Sequence, residues 1–306
     1  MEAVAIIPHR QGAVAPSHKS FTSRGRVIPA RPLPEEPLIR IRSGRALVSS
    51  ELREVWAHRE LLYFFIWRDL KVRYKQTALG PAWVILQPLL MALVFAVFMG
   101  KLARVPSEGV PYPLFAYAGL VPWTFFSSAV ATAGNSLVAN GQLLTKVFFP
   151  RMLIHLALTG VRLIDLIVSF FVLLALMGCY GLGVNWSILL LPVLVLQATL
   201  LAVGVGLWFS ARIVKRRDYA TLLPVLLQAW MFASPVIYPS RLVPENWRLV
   251  YSLNPMAGVI EGFRSALFGF PFDWKGMALS GLVTLLVLAF SVRSFLRADQ
   301  NLVDVI

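Results

Sequence analysis

From residue 80 onward the chain alternates long uncharged runs with short polar islands. Residues 80–100 carry no charge over 21 positions, and residues 109–145 carry none either. Residues 152–211 hold two charges, Arg162 and Asp165, in 60 positions. About 20 apolar residues cross the hydrocarbon core of a bilayer. The 60-residue run is too long for one helix, and Gly178, Gly181, Gly183 and Asn185 break it into a hairpin. Two further runs cover residues 219–240 and 276–292. Backbone groups in lipid must bond within their own segment, so these runs are helices. The pattern predicts an all-α polytopic membrane protein. Its six spans lie at about 82–101, 114–134, 152–178, 187–211, 219–240 and 276–293.

Two further stretches stand apart from the spans. In residues 46–80, Tyr63, Ile66, Trp67, Leu70 and Tyr74 share one helical face, and Arg68, Lys71 and Lys75 lie on another. That is the pattern of a helix lying in the membrane interface, and Asp69 and Arg73 belong to the same stretch. Gly80 and Pro81 predict a break before the first span. Residues 254–272 are apolar but interrupted by Pro255, Glu261, Arg264 and Pro271, which suits one or two short re-entrant helices.

Composition sharpens the class. Hydrophobic residues make up 58% and charged residues 14%, against about 25% charged in soluble domains. The formal net charge is +14. Because the basic residues sit beside apolar runs, anionic membrane lipid and topology explain them better than nucleic acid. The single cysteine, Cys179, excludes a disulfide framework, and the four scattered histidines argue against a metal site. Residues 1–45 contain six prolines among basic residues and predict a disordered tail. The apolar stretch 3–8 is too short for a signal peptide, so a cytoplasmic N-terminus is expected. Arg212, Lys215, Arg216 and Arg217 in one short loop then place both termini on the cytoplasmic side. Within the third span, Arg162 and Asp165 are spaced i, i+3, so they are expected to pair.

Three segments, in order, carry a resemblance. Residues 68–75 read Arg-Asp-Leu-Lys-Val-Arg-Tyr-Lys and are followed by Leu79, Gly80, Trp83 and Pro88. Residues 146–151 read Lys-Val-Phe-Phe-Pro-Arg, and Asn254-Pro255 precedes Glu261, Gly262 and Arg264. Together they resemble the membrane subunit of ATP-binding-cassette exporters of polysaccharide, over roughly residues 55–306. The resemblance implies a homodimer above two ATPase subunits in the bacterial inner membrane, moving a lipid-linked polysaccharide. It implies that residues 140–151 form a coupling helix docked on the ATPase, with Gln142, Lys146, Phe148, Phe149 and Arg151 as its contacts. The chain contains no G-x-x-x-x-G-K-[ST] loop, so ATP and Mg are expected on the partner and no cofactor on this chain. Gly204 and Gly206 read as close helix packing.

A sliding glycan needs broad, weak contacts, which aromatic rings supply. Trp123, Phe125, Phe126, Trp230, Phe232 and Tyr238 are the candidates for its path, with an interfacial belt as the competing role. Tyr112, Tyr117 and Trp247 lean to the belt. Asn254, Glu261 and Arg264 are the candidate outer gate. Two alternatives stay open: an ATP-driven exporter of a small lipid or drug, and a membrane-embedded glycan or acyl transferase. The transferase would draw on Asp165, Asp218, Glu261 or His155, but no two of these form a recognisable acid–base pair.

Overall fold

The computed structural model describes residues 48–75, 82–146, 149–183 and 185–302. The proline-rich tail, the Gly80–Pro81 break and Phe148 lie outside them. All regular structure among the described residues is helical. The order is α1 (Val48–Ala57), α2 (Arg59–Lys75), α3 (Ala82–Phe95, continued by a π-helical Ala96–Leu102), α4 (Tyr112–Gly134), α5 (Ser136–Ala139) and α6 (Gly141–Lys146). Next come α7 (Met152–Cys179), α8 (Leu191–Lys215, entered through a 3-10 turn Trp186–Leu190), α9 (Asp218–Phe232), α10 (Glu245–Ser252), α11 (Pro255–Phe268) and α12 (Trp274–Leu302).

Helix α8 is the central post, with α12 on one side and α4 on another. The paired glycines make both approaches possible. A Cβ on Gly204 would lie 3.1 Å from Leu288 Cα of α12, and one on Gly206 would lie 2.8 Å from Ala133 Cβ of α4. Small residues let helix backbones close up where lipid supplies no hydrophobic drive for association. Two apolar clusters result. The larger runs through the bundle and includes Leu114, Phe115, Phe126, Leu201 and Phe263. The smaller gathers Phe65, Leu137, Phe149, Leu153, Leu207 and Phe295 at the end where α5 and α6 lie.

Among the described residues, five helical segments are long and apolar enough to cross a membrane: Ala82–Leu102, Tyr112–Gly134, Met152–Cys179, Trp186–Lys215 and Trp274–Ala298. The run expected as the fifth of six spans, 219–240, differs. It is helical for the 15 residues of α9 and then gives way to turns. Fifteen residues reach about 22 Å, short of the ~30 Å core. Its ends nevertheless lie far apart. It starts just beyond the basic end of α8, and the turn after it is held by α11, which packs against the opposite end of α8 and its 3-10 entry. Where one or two short helices were expected over residues 254–272, the chain forms α11, and α10 precedes that stretch. Nearly all of α11 is buried by protein, which is where irregular backbone beside it can be tolerated in a membrane.

In α2 the residues expected to share one apolar face divide between protein contact and outer surface. Phe65 is buried, Ile66 half-buried, and Tyr63 and Trp67 are exposed. The face that packs on α7 is therefore Leu62, Phe65, Ile66, Asp69 and Arg73. Tyr63, Phe64 and Trp67 remain as an outward apolar surface. Arg68 and Lys71 lean over the Phe65 and Trp67 rings, at 5.0 and 5.4 Å from their centroids.

Candidate functional site

Three features are built onto this frame: a polar groove, a clamped turn and a short-helix segment.

The groove of about 310 Å³ lies between α2, α3, α4, α7 and α9. One face of α4 supplies Thr124, Ser127, Ser128 and Ala131, and Gln87 of α3, Ser169 of α7 and Trp83 complete much of the wall. Pro88 and Pro224 interrupt helices on its two flanks. Proline leaves the carbonyl four residues earlier without its helical donor. For Pro88 that carbonyl is Val84's, and the Ser169 hydroxyl reaches it at 3.5 Å. The charged lining is Arg73, Arg162 and Asp165. Asp165 accepts from Arg73 and, at 3.4 Å, from Arg162. Arg162 also donates to Thr132 Oγ1 through Nε at 3.2 Å and Nη2 at 2.9 Å. A single charge at the centre of a bilayer costs roughly 2.5–3.5 kcal/mol, so mutual pairing favours Arg162 and Asp165 within an apolar helix. The i, i+3 spacing gave the Arg162–Asp165 contact, but nothing local pointed to Arg73 as its third member. The hydroxyl stripe of α4 was missed as well. Its 3–4 residue recurrence inside an apolar run was the available signal.

The aromatics expected along a path separate into two groups. Trp123, Phe125 and Phe126 are 4%, 3% and 0% exposed, and the Phe126 ring meets Trp230 edge-on at 5.1 Å. Trp123 and Phe126 are core side chains here, whereas the buried Phe125 also lines the groove beside the hydroxyl face of α4. Tyr112 and Tyr117 are buried too, and donate to the Ile237 and Ser169 carbonyls, so they form no belt. Trp247 and Phe232 are exposed, and Tyr238 is half-buried.

The clamped turn, residues 233–238, follows α9. Asn254, the N-cap of α11, accepts from Trp230 Nε1 at 2.9 Å and from Met256 N at 3.1 Å. Its amide donates to the Ala233 carbonyl at 3.1 Å and to Ser234 Oγ at 2.9 Å. Arg264 is 1% exposed. Its two terminal nitrogens donate to the carbonyls of Pro235 (2.5 Å), Val236 (2.7 Å), Tyr238 (3.4 Å) and Phe115 (3.3 Å), and its guanidinium lies 3.6 Å over the Phe115 ring. Carbonyls outside regular structure need donors when buried, and the arginine fork supplies them. Glu261 is 3.7 Å from Arg264 and accepts from Ser240 N at 3.2 Å. Burial pushes its carboxyl above the usual range, and the Arg264 charge pulls it back. Arg264 is thus a fixed anchor, whereas Glu261 faces a separate cavity of about 330 Å³ with Glu108, Arg241, Tyr251 and Asp273.

In the short-helix segment, Gln142 and Lys146 on α6 are exposed and Arg151 is half-buried at the start of α7. Phe149 does not project outward. It is 6% exposed and meets Phe65 edge-on at 5.3 Å, so the chain consumes it as an internal contact between this segment and α2. Among the described residues, no cluster of His, Cys, Asp and Glu could hold a metal ion.

Residues 60–268 match the model of the ABC-2 type transporter family. An O-antigen export system permease protein, RfbA, of Myxococcus xanthus is 31% identical over 220 residues, covering 71% of this chain and 84% of the relative. RfbA of Klebsiella pneumoniae is 29% identical over 206 residues, covering 67% and 79%. The polysialic acid transport protein KpsM of Escherichia coli is 26% identical over 203 residues, covering 65% and 78%. With most of its helical bundle inside the matched region, the chain belongs to the ABC-2 type transporter family.

Proposed function

We propose that this chain is the permease subunit of an ATP-driven polysaccharide exporter, working on a lipid-linked, O-antigen-like glycan. The observation that carries the reading is the agreement of relatives named for O-antigen export and polysialic acid transport across most of the bundle. The groove supports it chemically. Its threonine, serine and glutamine side chains offer weak, replaceable hydrogen bonds, as a hydrated chain that must keep moving requires. A groove on one protomer becomes a tunnel when a second copy faces it.

ATP and Mg belong to a separate ATPase subunit, present twice per dimer. The ATPase docks against α6, where Gln142 and Lys146 are exposed, with Phe148 and Arg151 completing the contact. Basic rim residues can steer an acidic partner groove. Both termini lie on the cytoplasmic side of the inner membrane, so α5 and α6 face the cytoplasm and α10 and α11 the opposite side. Surrounding lipid touches the outward apolar faces.

Deleting the gene in the native host and fractionating its lipid-linked glycan tests the reading. Glycan lost from the surface and retained, lipid-linked, on the cytoplasmic side is the expected result. Normal surface glycan would remove the polysaccharide substrate and favour a small lipid or drug. Loss from both compartments would point to an enzyme of glycan synthesis.

A further inference from the structure

His155 is fully buried one turn into α7, and neither the groove nor the clamped turn uses it. Its ring joins four elements. Nδ1 lies 3.3 Å from the Arg151 carbonyl at the start of its own helix. Nε2 lies 3.1 Å from Ser136 Oγ on α5 and 2.7 Å from Ser210 Oγ on α8. The ring meets Phe295 of α12 edge-on at 5.2 Å. A carbonyl can only accept, so in the neutral ring Nδ1 donates and Nε2 is left as an acceptor. Two serine hydroxyls therefore converge on one lone pair. Ser210 has an alternative, since it also reaches the Leu207 carbonyl at 2.9 Å. His155 can hold α5 alone, or α5 and α8 together, according to where the Ser210 proton points.

The placement gives this clasp a consequence. Ser136 and His155 bracket the α5–α6 segment, so their bond closes the segment at its base. Asn140 reinforces the closure by donating to the Ser136 carbonyl at 3.0 Å. From Ser210, α8 runs one more turn to its basic end, and the chain then enters α9, a wall of the groove. We propose that His155 is the positioning residue that passes a push on α6 to α8 and α9. Without it, α6 moves on its own and the groove does not respond. This inference rests on the docking of the ATPase against α6.

The test uses the full chain co-purified with its own ATPase subunit, in lipid nanodiscs, with Cys179 replaced by serine. A spin label at Leu222→Cys on exposed α9 reports its nucleotide-driven displacement, and a second at Val138→Cys reports the segment itself. ATP, with magnesium, is the only ligand added. In His155→Ala, assembly and ATP hydrolysis should persist, the Val138 label should still move, and the Leu222 displacement should shrink at least about fivefold, the lower end of usual site-to-site couplings. His155→Gln, whose side-chain oxygen can accept both hydroxyls, should restore it. Ser136→Ala, a smaller change, should reduce the Leu222 displacement without lowering the melting temperature, and decides the matter if His155→Ala does not fold. An unchanged Leu222 displacement in His155→Ala or Ser136→Ala overturns the proposal. So does a parallel fall of assembly, hydrolysis, displacement and melting temperature that glutamine fails to rescue. If the parent complex fails to assemble or shows no movement at Val138, the docking reading falls and takes this role of His155 with it.

Discussion

The two ends of the bundle are held together by different chemistry. At the α10–α11 end, a non-helical turn, 233–238, has residues 234–237 buried among helices. Most of its carbonyls have no helical donor, so Arg264, Asn254 and Tyr112 reach in and satisfy them. At the α5–α6 end the elements are regular helices that need few outside donors. An apolar cluster around Phe65, Phe149 and Phe295 joins them, with His155 as the polar pin. Directional bonds to fixed backbone make the first end unyielding. Largely non-directional packing, pinned by His155, leaves the second freer to shift. That contrast suits a cap at one end and a moving contact at the other.

Removing the anchor is the strongest way to break the contrast. Arg264→Leu should destabilise by about 3–5 kcal/mol, because the buried carbonyls of the turn and the carboxylate of Glu261 lose their partner together. Arg264→Lys should recover little of this, since an ammonium cannot fork across several carbonyls. Thermal unfolding in detergent, followed by tryptophan fluorescence, measures both. Gly119→Ala attacks the same contact from the α4 side. The added Cβ would sit 2.5 Å from the Val236 carbonyl oxygen and 2.6 Å from Arg264 Nη2. Neither can yield cheaply, so a loss of about 1–3 kcal/mol by overpacking is expected in the same assay.

Asn254→Ala comes next, at about 0.5–2 kcal/mol, the usual range for a lost N-cap. It also strips the Trp230 indole of its acceptor. Asn254→Asp keeps both acceptor bonds and loses both donor bonds, so comparing the two unfolding midpoints separates capping of α11 from clamping of the turn.

How far the sequence revealed these ends follows from the range of the interactions. The long spans were legible, because an uncharged run of 20 or more residues has no other economical fold in lipid. Pairing of Arg162 with Asp165 was legible, because i, i+3 is local. The length of α9 was not read, although Pro235 was a local stop signal: residues 219–240 stay apolar, and the helix stops at Phe232, where Arg264 of α11 takes up the carbonyls that follow. The inward face of α2 was also hidden. Tyr63 and Trp67 are as apolar as Phe65 and Ile66, so period alone cannot say which pair meets protein and which meets lipid. Phe149 misled for the same reason, since an aromatic in a basic loop reads as an outward anchor until α2 is seen to cover it.

The smallest expected effect tests whether the α5–α6 end really is the more forgiving one. Gly160 on α7 faces α2, and a Cβ there would lie 2.8 Å from Ile66 Cδ1. That distance is no kinder than several at the other end, but the obstacle is the tip of a flexible, half-buried side chain and not a fixed carbonyl. Ile66 can change rotamer toward the outward apolar surface of α2 at roughly 0.5–1.5 kcal/mol. Alanine returns about 1 kcal/mol of helix propensity in exchange. Gly160→Ala should therefore leave the unfolding midpoint nearly where it was, while Gly119→Ala lowers it clearly. A Gly160→Ala loss as large as that of Gly119→Ala would mean that α2 is locked onto α7 as firmly as the turn is locked onto α11. The division into one rigid and one adjustable end would then have to be abandoned.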